Sequence, residues 1–269
     1  MSRTITELGP REAEFLATMA SSARGVFKLE DAEGFWGAGQ PTRAVLSRLE
    51  SKGWLERLER GKYMLVPLEA GTGREWSEDP LAIGTFVAPS GGAAYWTAAR
   101  HWGWTAQLPR TQFFITTRRR SSARKTILGV PFRFITLKPD RLFGIAEEWV
   151  GSLPIRVTDR ERTVVDILDR PDLSGGIAEV SEVLTNAWRD IDATRLTEYV
   201  ERFGSGTVPK RLGYLTELLA LQATKNQTRR WQELSGSGIT LLERGGPKEG
   251  RIVTRWGLRI NSGLHEVAL

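Results

Sequence analysis

The stretch from Leu46 to Leu65, LSRLESKGWLERLERGKYML, constrains the fold more than any other part of the chain. Leu46 and Leu49 continue a helical period and Gly53 stops it. Trp54 to Glu59 then alternates as a strand, Arg60-Gly61 turns it, and Lys62 to Val66 returns. A helix, a glycine stop and a short hairpin with a basic tip make up the second half of a winged helix-turn-helix. The residues before it supply the rest. Pro10 to Ser21 carries apolar side chains at helical spacing, and Pro10 suits a first turn. Leu29 to Trp36 reads as a short second helix, and Gly37 and Gly39 make the turn. Pro41 opens the third helix with Gln40 at its cap position.

On a helical wheel Thr42, Val45, Leu46 and Leu49 fall on one side of that third helix. Arg43, Ser47 and Glu50 fall on the other, flanked by Ala44 and Arg48. The apolar side packs on the first two helices and leaves the other free to enter a major groove. Arginine can take both acceptors on the guanine edge, and serine can reach several bases. The basic residues of the wing suit phosphates or a minor groove, although Glu56 and Glu59 offset them. The candidate DNA contacts are therefore Gln40, Thr42, Arg43, Ser47 and Arg48 on the helix, and Arg57, Arg60 and Lys62 on the wing.

At 269 residues the chain is too long for one winged helix. The organisation it predicts is α+β. A winged helix-turn-helix over residues 1–67 is followed by a glycine- and charge-rich linker over 68–79, then by a mixed α/β domain over 80–269. That domain has a helical subregion at about 177–233 and ends in a β-hairpin. Strands are expected at Gln112–Thr117, Pro131–Lys138 and Ile155–Val157. Helices are expected at Ala93–Trp104, from Thr158 or Asp159 to Leu168, at Ile177–Trp188, at Asp192–Phe203 and at Thr207–Ala223. Charge is unevenly spread. Arg100 to Arg141 holds ten Lys/Arg against one acid, Asp140. Leu142 to Arg202 reverses this, with seven Arg against thirteen acids. Arg118, Arg119, Arg120, Arg124 and Lys125 concentrate in one loop and form a second basic patch, a candidate surface for DNA or for an acidic protein.

Enzyme chemistry finds little support. With no cysteine and only His101 and His265, thiolate and histidine-rich metal sites are excluded. A restriction-type nuclease needs an acid followed by acid-x-Lys on adjoining strand positions. The acid-x-Lys here is Glu50-Ser51-Lys52, at the end of a helix. Asp159, Glu161, Asp166 and Asp169 read as caps and helix-face partners of nearby arginines rather than as a cation site. His101, between Arg100 and Trp102, reads as a packed helix residue. No apolar run approaches a membrane span and the N-terminus lacks an apolar signal core, which predicts a cytoplasmic protein.

Three stretches together resemble a known family. They are YWTAARHWGWTAQLP (Tyr95–Pro109), RFITLKPDRLFGIAE (Arg133–Glu147) and IRVTDRERTVVDILDRPDLSGGIAEVSEVL (Ile155–Leu184). GWLERLERGKYML and the late RWGLRIN (Arg255–Asn261) add to the likeness. The resemblance is to the AbiEi-type antitoxins, transcriptional regulators of type IV toxin–antitoxin systems. It implies a double-stranded DNA partner, the operator of the chain's own operon. It also implies a functional partner, an AbiEii-type nucleotidyltransferase-like toxin countered without a tight complex. It implies no catalytic residue, metal or cofactor. The alternatives are a metal-dependent nuclease targeted by a winged helix and a protein-interaction module docking on an acidic partner.

Overall fold

The structure, a computed structural model, describes residues 8–23, 25–67, 78–151 and 153–263. Three helices open it: α1 (Pro10–Ala23), α2 (Leu29–Trp36) and α3 (Gln40–Lys52). Gly53 takes the left-handed conformation at φ 90° and ends α3, its N–H reaching Glu50 O, while the Trp54 N–H reaches Leu49 O at 2.9 Å. At the other end Gly39 is the cap, and Gln40 is the first helical residue rather than the cap itself. The wing is β2 (Leu55–Glu59) and β3 (Lys62–Leu65), joined through Gly61 at φ 75°. A strand absent from the sequence reading, β1 (Val26–Lys28), pairs antiparallel with β3, giving the order β1-β3-β2. Phe15, Met19, Phe27, Ala32, Leu46, Leu49 and Leu55 bury together between the helices and this sheet.

The second region begins with α4 (Pro80–Val87), capped by Asp79, whose Oδ1 accepts from the Leu81 N–H at 2.7 Å. A six-stranded mixed sheet follows: β4 (Gly92–Ala93), β5 (Gln112–Thr116), β6 (Arg124–Ile127), β7 (Val130–Thr136), β8 (Ile145–Val150) and β9 (Leu153–Thr158). The order is β6-β7-β5-β4-β9-β8, parallel at β5–β7 and β4–β9 and antiparallel elsewhere. Gly91 is required at the approach to β4, since a Cβ there would lie 1.7 Å from the Ile115 carbonyl oxygen. One sheet face carries Phe114, Phe132 and Phe134 against Ile83 and Val87 of α4. Leu58 and Met64 of the wing belong to the same buried cluster. The hairpin is thus shared between the winged helix and the sheet. The other face packs Phe113 and Ile115 on Tyr95 of α5 (Tyr95–His101).

A helical layer closes the fold: α6 (Arg160–Asp169), α7 (Ile177–Ala187), α8 (Ala193–Phe203), α9 (Thr207–Leu218) and α10 (Lys225–Leu234). Asp159, Asp192 and Thr224 cap α6, α8 and α10 through side-chain oxygens. The tail departs from a simple hairpin. Three short strands, β10 (Thr240–Leu241), β11 (Arg251–Val253) and β12 (Leu258–Ile260), form a sheet ordered β10-β12-β11, with β10 parallel to β12. Thr254 and Trp256 lie in the turn, and Trp256 fills the space over Gly213, where a Cβ would stand 2.1 Å from the indole. Helix α4 and strands β4, β6 and β8 were not anticipated, and α10 falls in the helical subregion expected at about 177–233 without having been named as a separate helix. The linker expected over 68–79 lies outside the described residues except for Glu78 and Asp79. Among the described residues no helix is long and apolar enough to cross a membrane.

Candidate nucleic-acid interface

Helix α3 presents Gln40, Arg43, Ser47 and Arg48 to solvent, as the wheel requires. Thr42 is different. It is fully buried, and its hydroxyl donates to the Gly37 carbonyl, so it stabilises the turn before α3 and has no surface to offer a base. Arg48 keeps half its side chain exposed, but its Nε donates to Glu12 Oε1 on α1 at 2.8 Å. Lys52 Nζ donates to Glu12 Oε2 at 2.9 Å, and the Gly9 N–H adds a third bond at 3.1 Å. Burial alone would raise the Glu12 carboxyl. The bonds from Lys52, Gly9 and Arg48 outweigh it and lower the group to about 2.

A stability prediction follows from Glu12. Because its folded-state value is depressed, its contribution is complete above the unfolded value near 4.5 and is lost as pH falls toward 2. Glu12→Gln is expected to lower the urea midpoint at pH 7 by the equivalent of about 1–3 kcal/mol. The gap to the unmodified chain should narrow below pH 4.5. A gap constant from pH 7 to pH 3 would show that the three bonds do not act through charge.

On the wing Arg57 and Arg60 are exposed. Lys62 is not available to a phosphate. It is buried, and its Nζ lies 2.9 Å from Glu59 and donates to the backbone oxygens of Phe86 (3.0 Å) and Val87 (2.7 Å) at the end of α4. Alternation along β3 puts its side chain under the hairpin, on the side of Met64, which packs against α4 and the six-stranded sheet. The sequence pattern alone gave no sign of that cover.

The second basic patch also divides. Arg118 and Arg119 are exposed. Arg120 turns inward, pairing with Glu59 and lying over the Phe134 ring at 4.2 Å. Lys125 donates to the Leu58 carbonyl at 2.7 Å. Arg124, its neighbour on β6, faces the opposite side of the sheet, directly across from Arg133.

Two open grooves meet at the wing turn. The first, about 420 Å³, lies between α3 and the wing and is lined by Arg43, Ser47, Glu50, Arg57, Arg60 and Tyr63. The second, about 880 Å³, lies between the wing turn, the start of α2 and the loop before β6. Lys28, Glu59, Arg60, Arg118, Arg119 and Arg120 line it. Glu30, Arg60 and Gly61 border both. The exposed cations of helix, wing and loop therefore follow one another along a continuous surface. Glu59 on this surface is neutralised by Lys62 and Arg120, whereas two further acids at the start of α2 offset the cations: exposed Glu30 lines both grooves and Asp31 lines the second. Lys28 and Tyr63 were missed by the sequence reading. Lys28 ends β1, and the pairing of β1 with β3 is what brings it to the groove.

The acids weighed as a cation site serve the scaffold. Asp159 caps α6 and accepts from Arg195 (2.7 Å) and Tyr199 (2.9 Å). Glu161 accepts from the Asp192 N–H at 2.9 Å, and Asp169 from the Ser205 hydroxyl at 3.2 Å. Asp166 pairs with buried Arg162. Among the described residues no group of three potential ligands comes together. His101 is half-buried, stacked edge-on to Trp102, and burial lowers its pKa.

Residues 14–66 match the family described as transcriptional regulator, AbiEi antitoxin. The matched segment is the winged helix, so the resemblance read from the sequence is borne out there. No curated protein matches the chain. Among solved structures, the chain is similar to that of the RV2827C protein from Mycobacterium tuberculosis, with 16% identity over 95% of this chain and 93% of that one and a TM-score of 0.63. At that identity the likeness is one of fold, and it extends over both the winged helix and the α/β region.

Proposed function

We propose that the chain is a DNA-binding antitoxin that represses its own operon and counters a nucleotidyltransferase-like toxin without a tight complex. The observation that carries the DNA reading is the run of exposed arginines, Arg43, Arg57, Arg60, Arg118 and Arg119, along the two grooves that meet at Arg60. In this reading Arg43 and Ser47 meet base edges in the major groove. Arg57 and Arg60 take the adjoining backbone. Arg118 and Arg119, on the second domain, hold flanking phosphates. The family match over the winged helix supports regulation of transcription.

Fluorescence-anisotropy titration against the duplex just upstream of the coding sequence, at several salt concentrations, tests the reading. Preference over an unrelated duplex supports it. Equal, weak binding to both at every salt concentration overturns it. Replacing Arg118 and Arg119 together with Ala is expected to weaken binding on both duplexes by a similar factor. The salt slope should become shallower by about two, roughly one for each lost phosphate contact. An unchanged slope would remove the loop from the interface.

A further inference from the structure

We infer that Glu59, Lys62 and Arg120 form a clamp that fixes the wing on the α/β domain, making that domain part of the DNA reader rather than an appendage to it. The inference rests on the DNA-binding reading above and adds positioning residues to it.

The clamp is built from both sides of the domain boundary. The Lys62 ammonium sits between the Glu59 carboxylate and the carbonyl end of α4, where it donates to the Phe86 and Val87 oxygens. Those last carbonyls carry the negative end of the helix dipole, a favourable place for a cation. Arg120 comes from the opposite wall. It pairs with the other Glu59 oxygen, reaches Val87 O at 3.4 Å and stacks over Phe134. Lys125 adds a bond from β6 to the Leu58 carbonyl. Beneath these polar contacts Leu58 and Met64 are buried against the phenylalanines of the sheet. The inward side of the hairpin is thus held by the second domain, while Arg57 and Arg60 remain exposed at the groove.

The electrostatics agree with this geometry. Burial acting alone would raise the Glu59 carboxyl, yet Lys62 and Arg120 hold it below the usual carboxylate range. A winged helix without this cover would have Lys62 free for a phosphate and a mobile hairpin to order on binding. Here one cation is withdrawn from contact, and the ordering cost of the wing is met before DNA arrives.

The distinction between a contact and a positioning residue is measurable, because a contact adds to the salt slope and a positioning residue does not. The full chain is titrated with the upstream duplex, and hydrogen exchange is followed across residues 55–65. Arg120→Ala is expected to bind about tenfold more weakly, with the salt slope unchanged and wing amides exchanging faster. Arg120→Lys should restore most of the affinity. Arg60→Ala, run in parallel, should make the slope shallower by about one. Glu59→Gln serves as a second variant and should loosen the same amides. Two results overturn the inference. One is unchanged affinity and unchanged exchange in both clamp variants. The other is a shallower slope in Arg120→Ala with wing protection intact, which would make Arg120 a phosphate ligand. Failure of the unmodified chain to bind either duplex would overturn the DNA reading instead, and wing exchange would still report on the clamp.

Discussion

Arg162→Met is expected to destabilise the fold by about 3–5 kcal/mol, read from urea unfolding at pH 7. Arg162 is completely buried on α6. Its Nε donates to Asp166 Oδ1 at 2.9 Å, one turn along the same helix. Its Nη1 donates to the carbonyls of Arg141 (2.7 Å) and Phe143 (3.1 Å), and the guanidinium lies over the rings of Phe143 and Phe203. Methionine fills much of the volume but strands a buried carboxylate and two carbonyls. The cost of an unpaired buried charge dominates over the lost packing.

The pH dependence carries a definite sign. Burial raises the Asp166 carboxyl to about 6, and Arg162 pulls against that rise. The folded state therefore binds the proton more tightly than the unfolded chain, so this group costs stability as pH climbs from about 4 to 6. Without Arg162 the opposing pull is gone and the rise is larger. The deficit of Arg162→Met should be greater at pH 8 than at pH 5. Arg162→Met/Asp166→Leu should recover much of the loss, since both partners are then apolar. A single variant as stable as the unmodified chain at both pH values would show that the pair is not the support described here.

The distinctive stretch TDRERTVVDILDRP therefore belongs to the scaffold, and the way it does so marks what a sequence can reveal. Its helix was legible because Val164, Val165, Ile167 and Leu168 repeat at helical spacing after a capping Asp159. That Arg162 points inward was not, because no local pattern distinguishes an arginine with a buried partner from a solvated one. The winged helix was legible for the same local reasons: glycine stops, prolines at the starts of the first and third helices, and alternation in the hairpin. Strands β4, β6 and β8 were hidden. β4 is two residues long, β6 reads as a run of charge, and β8 mixes Glu147 and Glu148 into an edge strand. The candidate contacts followed the same divide. The exposure of Arg43 and Ser47 comes from the turn-by-turn geometry of one helix. The burial of Lys62 and the inward turn of half-buried Arg120 and Lys125 come from packing between segments distant in sequence, as the bond from Lys125 to Leu58 shows. Thr42 was assigned to the apolar side by the wheel, and its buried bond to Gly37 agrees with that side rather than with a DNA contact.

Arg43 carries the second large effect. It is exposed on α3 beside Ser47 and lines the groove that Arg57 and Arg60 close from the wing. Arg43→Ala is expected to weaken binding to the upstream duplex by about 1–3 kcal/mol and to relax base preference at one position. Binding to unrelated DNA should fall less, because the lost interaction is with a base edge. Arg43→Lys separates charge from shape. It keeps the positive charge, so the salt slope should hold, but it lacks the fork that takes two guanine acceptors, so the preference should still be lost. Arg60→Ala should do the reverse, lowering affinity on both duplexes and leaving the preference intact. If Arg43→Ala changed neither affinity nor preference while Arg60→Ala weakened both duplexes, the wing would still grip the backbone. The base-reading residues would then have to lie elsewhere on the exposed side of α3, with Gln40 and Ser47 the next to test.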